Sequence, residues 1–231
     1  MSPVPLHLVT FFLFTVLIAL VGFAFVVRWQ KAALGLSLVW MVVQSAVALS
    51  GFYLQTRAIP PHFFLAPLPA FLLIAVVFLT RRGRGFVDSM SLKWSVLLHS
   101  VRILVEVTLY WLFLYKQVPA QLTFEAGNVD ILIGLSAPLV WWAFASGRIA
   151  KRGLLLWNSL ALFSVLNALG RALLSAPFRF QQFAFDQPTV AILTFPFILL
   201  PAFLVPAVIF THLAIFRKLL IPESSTGIPL V

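Results

Sequence analysis

Cysteine is absent from the 231 residues, and charge is scarce, with Asp, Glu, Lys and Arg together making up 10% of the chain. The first absence excludes a disulfide scaffold, a thiol enzyme and any zinc site built on thiolates. The second excludes a soluble globular domain, because ordinary soluble chains are about 25% charged and their surfaces are covered with polar groups. Acidic residues are scarcest, six against sixteen basic ones, which leaves a net charge of +10. That excess does not mark nucleic-acid binding, and no nucleic-acid partner is expected, since Lys and Arg gather in the cytoplasmic loops of ordinary membrane proteins. What is abundant is hydrocarbon: 62% of residues are apolar and the mean hydropathy is +1.06. The lipid bilayer is the partner that such a composition requires.

Apolar runs of ~20 residues, the length a helix needs to cross ~30 Å of hydrocarbon, occur seven times, at about Leu6 to Val27, Ala32 to Leu54, Phe63 to Thr80, Leu92 to Tyr115, Val129 to Ser146, Leu154 to Ala176 and Pro188 to Phe216. The alternating ~10-residue segments of a membrane barrel are missing. The fold expected is all-α, a polytopic membrane protein whose seven-transmembrane-helix bundle spans residues 1–221, followed by a disordered cytoplasmic tail at 222–231 rich in Ser, Thr, Gly and Pro. The first run is too long for a signal h-region and no Lys or Arg precedes it, so it is expected to remain in the mature protein. Turns after the odd-numbered runs hold eleven Lys and Arg, from Arg28 to Lys218, whereas those after the even-numbered runs hold Arg57, Lys116 and Arg179. By the positive-inside rule the N-terminus lies outside and the C-terminus in the cytoplasm, and the location expected is a bacterial inner (plasma) membrane. Trp29, Trp94 and Trp157 near the inner boundary and Trp111 near the outer one read as interfacial anchors. Pro67 and Pro69 in the third run, and Pro196, Pro201 and Pro206 in the seventh, predict kinked or locally unwound helices.

Polar residues inside these runs are not scattered. Ser95, His99, Arg102, Glu106 and Tyr110 fall within an arc of about 80° on one helical face at 100° per residue. Such a face cannot look at lipid, where a central Arg costs ~2.5 to 3.5 kcal/mol on insertion scales. Glu106 is one turn from Arg102, at ion-pair spacing. A matching stripe of Ser164, Asn167, Arg171 and Ser175 lies on the sixth run, and Ser37, Gln44 and Gln55 share a face of the second with the small Ala48 and Gly51. Three polar faces imply a common interior that opens outward. At its mouth stand Glu125, Asn128 and Asp130. Asn128 reads as an N-cap and Asp130 as a first-turn acid favoured by the helix dipole, or else Glu125 and Asp130 reach Arg171 or Arg179 as an entrance gate.

These residues exclude some chemistry. A Ser-His-acid triad on the fourth run fails, because Glu106 is about 10 Å of rise from His99. No metal motif occurs among His7, His62, His99 and His212. A haem between His99 and His212 is the one cofactor site that two histidines at similar depth would offer, but packing histidines are the expected reading and no cofactor is expected. Seven spans and this length also describe the retinal-binding microbial rhodopsins, yet the mid-span Lys that carries their chromophore is missing, the only Lys of the last run being Lys218 at its inner end.

The function expected is binding, and transport, of a small organic or anionic ligand, with Gln44, His99, Arg102, Glu106, Tyr110, Asn167 and Arg171 lining the site. In that reading Arg102 holds the ligand's anion when Glu106 releases it, Glu106 carries a proton, and His99 passes it inward. The alternatives are an intramembrane enzyme acting on a lipid or isoprenoid, with Glu106 and His99 as acid and base, and a sensor or assembly protein whose polar faces serve helix packing. A homo-oligomer is compatible with all three.

Overall fold

The computed structural model describes residues 4–220; the tail expected at 222–231 lies outside the described residues. Nine α-helices follow one another with no strand among the described residues: α1 Leu6–Val26, α2 Lys31–Leu49, α3 Leu68–Leu79, α4 Arg81–Ser89, α5 Leu92–Leu97, α6 Val101–Leu114, α7 Asp130–Ala145, α8 Lys151–Ser175 and α9 Val205–Leu220. A single 3-10 turn at Leu98–Ser100 joins α5 to α6, and the two act as one rod. Six stretches are long and apolar enough to cross a membrane, namely Leu6–Val26, Lys31–Leu49, His62–Leu79, Leu92–Leu114, Lys151–Ser175 and Leu200–Leu220. The molecule is thus a helical membrane-type bundle. The fifth apolar run is shorter than the sequence suggests, because α7 has 16 residues and is about 24 Å long, less than the ~30 Å of hydrocarbon.

The core lies where α9 packs on α5 and α8, α6 on α1 and α7, and α7 on α8. Helix α9 is buried without a break from Pro206 to His212, and again at Ala214, Ile215 and Leu219, so its largely apolar surface is packed within the bundle. By contrast α2 buries only Gln44 and Ala48, and α3 buries nothing completely. These two helices form the outer layer on one flank. At the corner between α3 and α4 the backbones meet so closely that a Cβ on Gly83 would stand 2.1 Å from the Val77 carbonyl oxygen.

The prolines act differently in the two places. Pro67 and Pro69 do not kink α3; they sit at its first turn, where a missing N–H is no loss. In the last run the break is real. Residues 188–199 run as turns with a 3-10 piece at Ala191–Leu193, and α9 is preceded by a π-turn at Leu200–Leu204. Pro206 has no N–H to give the carbonyl four residues back, and the Trp40 indole donates to that Ala202 oxygen instead, at 3.0 Å. An unmet carbonyl among apolar helices is thereby satisfied by a neighbour.

Two non-helical segments interlock at the other end of α6. Gln117 O accepts from the N–H groups of Val190 and Ala191 at 3.0 and 3.2 Å. Gln187 Nε2 donates to Phe113 O and Val118 O at 2.9 and 2.7 Å, and the hydroxyls of Ser175 and Thr189 lie 2.6 Å apart. Val118, Leu122 and Thr123 are buried, so the loop before α7 folds back into the bundle and starts that helix below the rim.

Candidate functional site

Because α7 starts deep, its first residue reaches the middle of the bundle. Asp130 is buried and takes Arg102 with both carboxylate oxygens: Nη2 donates to Oδ1, and Nε donates to Oδ2 at 3.2 Å. Ser164 of α8 donates its hydroxyl to the same Oδ1, and Arg102 Nη1 donates to the Ala161 carbonyl at 3.1 Å. Arg102 is 3% exposed. A buried Arg needs this fork-on-fork geometry, with its remaining donors met, to offset its desolvation. Gly134, one turn into α7, makes the approach feasible: a Cβ there would come within 2.8 Å of Ile103 Cγ1 and 3.0 Å of Ile103 N.

The expected ion pair between Arg102 and Glu106 is therefore not formed. Glu106 instead accepts from Asn128 Nδ2 at 2.6 Å, and that same amide donates to Leu122 O at 3.1 Å. Asn128 is not the residue that caps α7, Val129 holding that position, although Asn128 Oδ1 does accept from the Asp130 N–H at 3.3 Å. Asp130 and Asn128, expected at the mouth, are both buried, at 7% and 8% exposure. Glu106 Oε2 is buried and has no hydrogen-bond partner.

Below Arg102 the 3-10 turn carries His99 into a second cluster. Its ring stacks on His212 of α9 with centroids 4.0 Å apart, and Trp157 of α8 meets it edge-on at 5.7 Å. Asn158 fixes His212, its Oδ1 lying 2.8 Å from Nδ1 while Nδ2 donates to the His212 carbonyl at 3.1 Å. Both ring nitrogens of His99 and Nε2 of His212 are buried without a partner. The stacked rings leave no room for a haem between them, since axial ligands must point their nitrogens at an iron lying between the two rings. No group of three or more metal-ligating side chains occurs among the described residues. Trp157 is not a plain interfacial anchor, because its indole donates to Ser136 Oγ at 2.9 Å.

The remaining expected residues divide. Tyr110 is half-buried and packs on Phe124, with centroids 5.0 Å apart. Arg171 reaches neither Glu125 nor Asp130 but donates to the carbonyls of Gln121 and Ala126 at 3.1 and 3.4 Å and to Asn167 Oδ1 at 3.2 Å, tying α8 to the loop. Asn167 and Glu125 are exposed. Gln44 is buried but accepts the Tyr53 hydroxyl just beyond its own helix. Sequence reasoning missed Asn158, and it set Asp130 at the outer surface because it placed the start of the fifth run at the membrane boundary. The available signal was the polar loop before it, which is long enough to fold inward.

This is an all-α, membrane-type protein whose interior holds a four-residue polar knot of Arg102, Asp130, Ser164 and the Ala161 carbonyl, flanked by an acid and two histidines. Residues 59–220, more than half of the chain and all of the helices that carry this knot, match a family described as a domain of unknown function (DUF8737), and the chain belongs to that family. No curated protein and no solved structure matches the chain.

Proposed function

We propose that the chain is a seven-span protein of a bacterial-type plasma membrane, its N-terminus outside and its C-terminus in the cytoplasm, and that its polar interior binds a small organic anion and moves it across. The basic residues support the topology: Arg81, Arg82, Arg84, Arg148, Lys151, Arg152, Arg217 and Lys218 all lie between or at the ends of the apolar runs, at positions assigned to one side. The observation that carries the ligand reading is a cluster of buried polar atoms with no partner, Glu106 Oε2, both nitrogens of His99 and Nε2 of His212, which lie on both sides of Arg102 on α6, the 3-10 turn before it and α9; His62 Nδ1, the fifth such atom among the described residues, lies before α3 on the 3-10 turn at His62–Leu65. Native interiors leave few such atoms unmet, and those that persist call for a functional cause.

In this reading the ligand carboxylate replaces Asp130 on the Arg102 fork, which is suited to bidentate anion recognition. Glu106 takes up the proton that accompanies the exchange, and the stacked histidines lead it toward the inner end. The test is uptake of a panel of labelled small carboxylates into proteoliposomes. Wild type is expected to accumulate at least one, Arg102→Lys to lower its apparent affinity, and Arg102→Ala to abolish uptake. Indifference of every flux to Arg102→Ala removes the proposal.

A second reading has its own observation. Each guanidinium nitrogen of Arg102 already donates, Nε and Nη2 to Asp130 and Nη1 to the Ala161 carbonyl, which is what a clamp fixing the packing of α6, α7 and α8 in a sensor or assembly protein would need.

A further inference from the structure

A cleft of about 530 Å³ lies on the far flank from Arg102, between α2 and α3 on the outside and α1 and α9 within. Its size is that of small-molecule sites, ~300 to 1,000 Å³. Phe23, Leu36, Ile74, Val77, Phe203 and Phe210 are among the side chains that line it. The few polar groups on its wall are already bonded within the protein: Ser37 donates to Ala33 O at 2.9 Å, Trp40 to Ala202 O at 3.0 Å and Gln30 to Ser89 Oγ at 3.2 Å. The body of an occupant therefore meets hydrocarbon only. The cleft opens sideways, where Leu36 and Leu73 are about half exposed, at 53% and 45%, and in a bilayer that opening faces acyl chains.

One end differs. Gln30, Ala32 and Ala33 line the cleft at the start of α2, and Val77 and Phe86 line it on either side of the corner between α3 and α4. Lys31 precedes Ala32, and Arg81 and Arg82 form the corner itself; all three are exposed. No acidic residue lies between Met1 and Val87, so nothing on these four helices neutralises that rim up to Asp88, which is engaged by Arg217 at 2.8 and 2.7 Å.

We propose that this cleft is a lateral binding site for an anionic phospholipid, with an acyl chain between α2, α3 and α9 and the phosphate on the rim of Lys31, Arg81 and Arg82. Basic pockets between helices at the cytoplasmic face are suited to such headgroups. The site rests on the membrane-spanning reading and is independent of transport.

The test is lipid retention by the full chain after detergent extraction, with phosphatidylglycerol and phosphatidylcholine offered in equal amounts and bound lipid read by native mass spectrometry. Wild type is expected to retain phosphatidylglycerol about ten-fold over phosphatidylcholine, and the triple change Lys31→Ala, Arg81→Ala, Arg82→Ala to remove most of that preference. Ala33→Phe and Ala70→Phe fill the cleft from opposite walls, and each is expected to displace both lipids. Equal retention of the two lipids by wild type overturns the site. So does phosphatidylglycerol that stays bound when both folded filling variants are tested, because it would then be held by surface charge alone. Release of the chain from membranes by an alkaline wash would instead refute the spanning reading itself.

Discussion

At the scale of single residues, the centre of the molecule is a choice of partner. Arg102 has two carboxylates within reach of its element, and it takes Asp130 from another helix over Glu106 one turn along its own. A partner on α7 meets the guanidinium fork end-on with both oxygens, whereas a side chain one turn along the same helix runs beside it. The polar face of the fourth run was legible because side-chain periodicity needs no tertiary information. The partner was not, because it depends on how deep a loop folds. The two readings of the knot differ in what its removal does. Removing one member of a buried pair costs about 3 to 5 kcal/mol, while replacing both by apolar side chains of similar volume is often neutral. Asp130→Asn is expected to lower the melting temperature sharply in detergent. The double change Arg102→Met, Asp130→Leu is expected to recover most of that loss and yet to lack anion uptake. Recovery of uptake together with stability would show a clamp and nothing more.

At the scale of elements, α3 and α4 were one apolar run and one charged turn in the sequence, and the structure makes them a tight corner between two helices. Thr80 ends α3 and caps α4, its hydroxyl accepting the Gly83 N–H at 3.2 Å. The N-cap position is readable from a Thr before a helical pattern, but the closeness of the two backbones is not. Two glycines in α4 separate these causes. A methyl at Gly83 would meet the Val77 backbone, while one at Gly85 would meet nothing within 4 Å. Gly85→Ala is expected to stabilise by about 0.5 to 1 kcal/mol, the ordinary helix preference for Ala. Gly83→Ala is expected to destabilise by about 1 to 3 kcal/mol, as forced overpacking does. Thermal unfolding in one detergent compares them directly, and equal effects of the same sign would mean that the corner is loose. The seventh run teaches the same lesson, since its prolines announced a break but could not say that Trp40 would complete it.

For the whole molecule, the decisive question is whether α7 crosses. Its 16 residues cover about 24 Å, and the loop before it is drawn inward by Asn128 and by the buried Leu122 and Thr123. A helix that begins below the rim has less hydrocarbon left to traverse, so a short α7 and an inward loop are consistent with a full pass. The charges agree, because Arg148, Lys151 and Arg152 follow α7 whereas Lys116 alone precedes it on the loop. The absence of cysteine makes the matter directly measurable, since any single Cys introduced is the only thiol present. Glu125, Arg82 and Ser146 are all exposed, on the loop before α7, on α4 and just after α7. With a membrane-impermeant maleimide on intact cells, Glu125→Cys is expected to react, whereas Arg82→Cys and Ser146→Cys react only after permeabilisation. Reaction of Glu125→Cys and Ser146→Cys alike would make α7 a re-entrant helix and the protein six-spanning. The pattern reversed at all three positions would invert the orientation, and with it the assignment of the Lys31, Arg81 and Arg82 rim to the cytoplasmic leaflet.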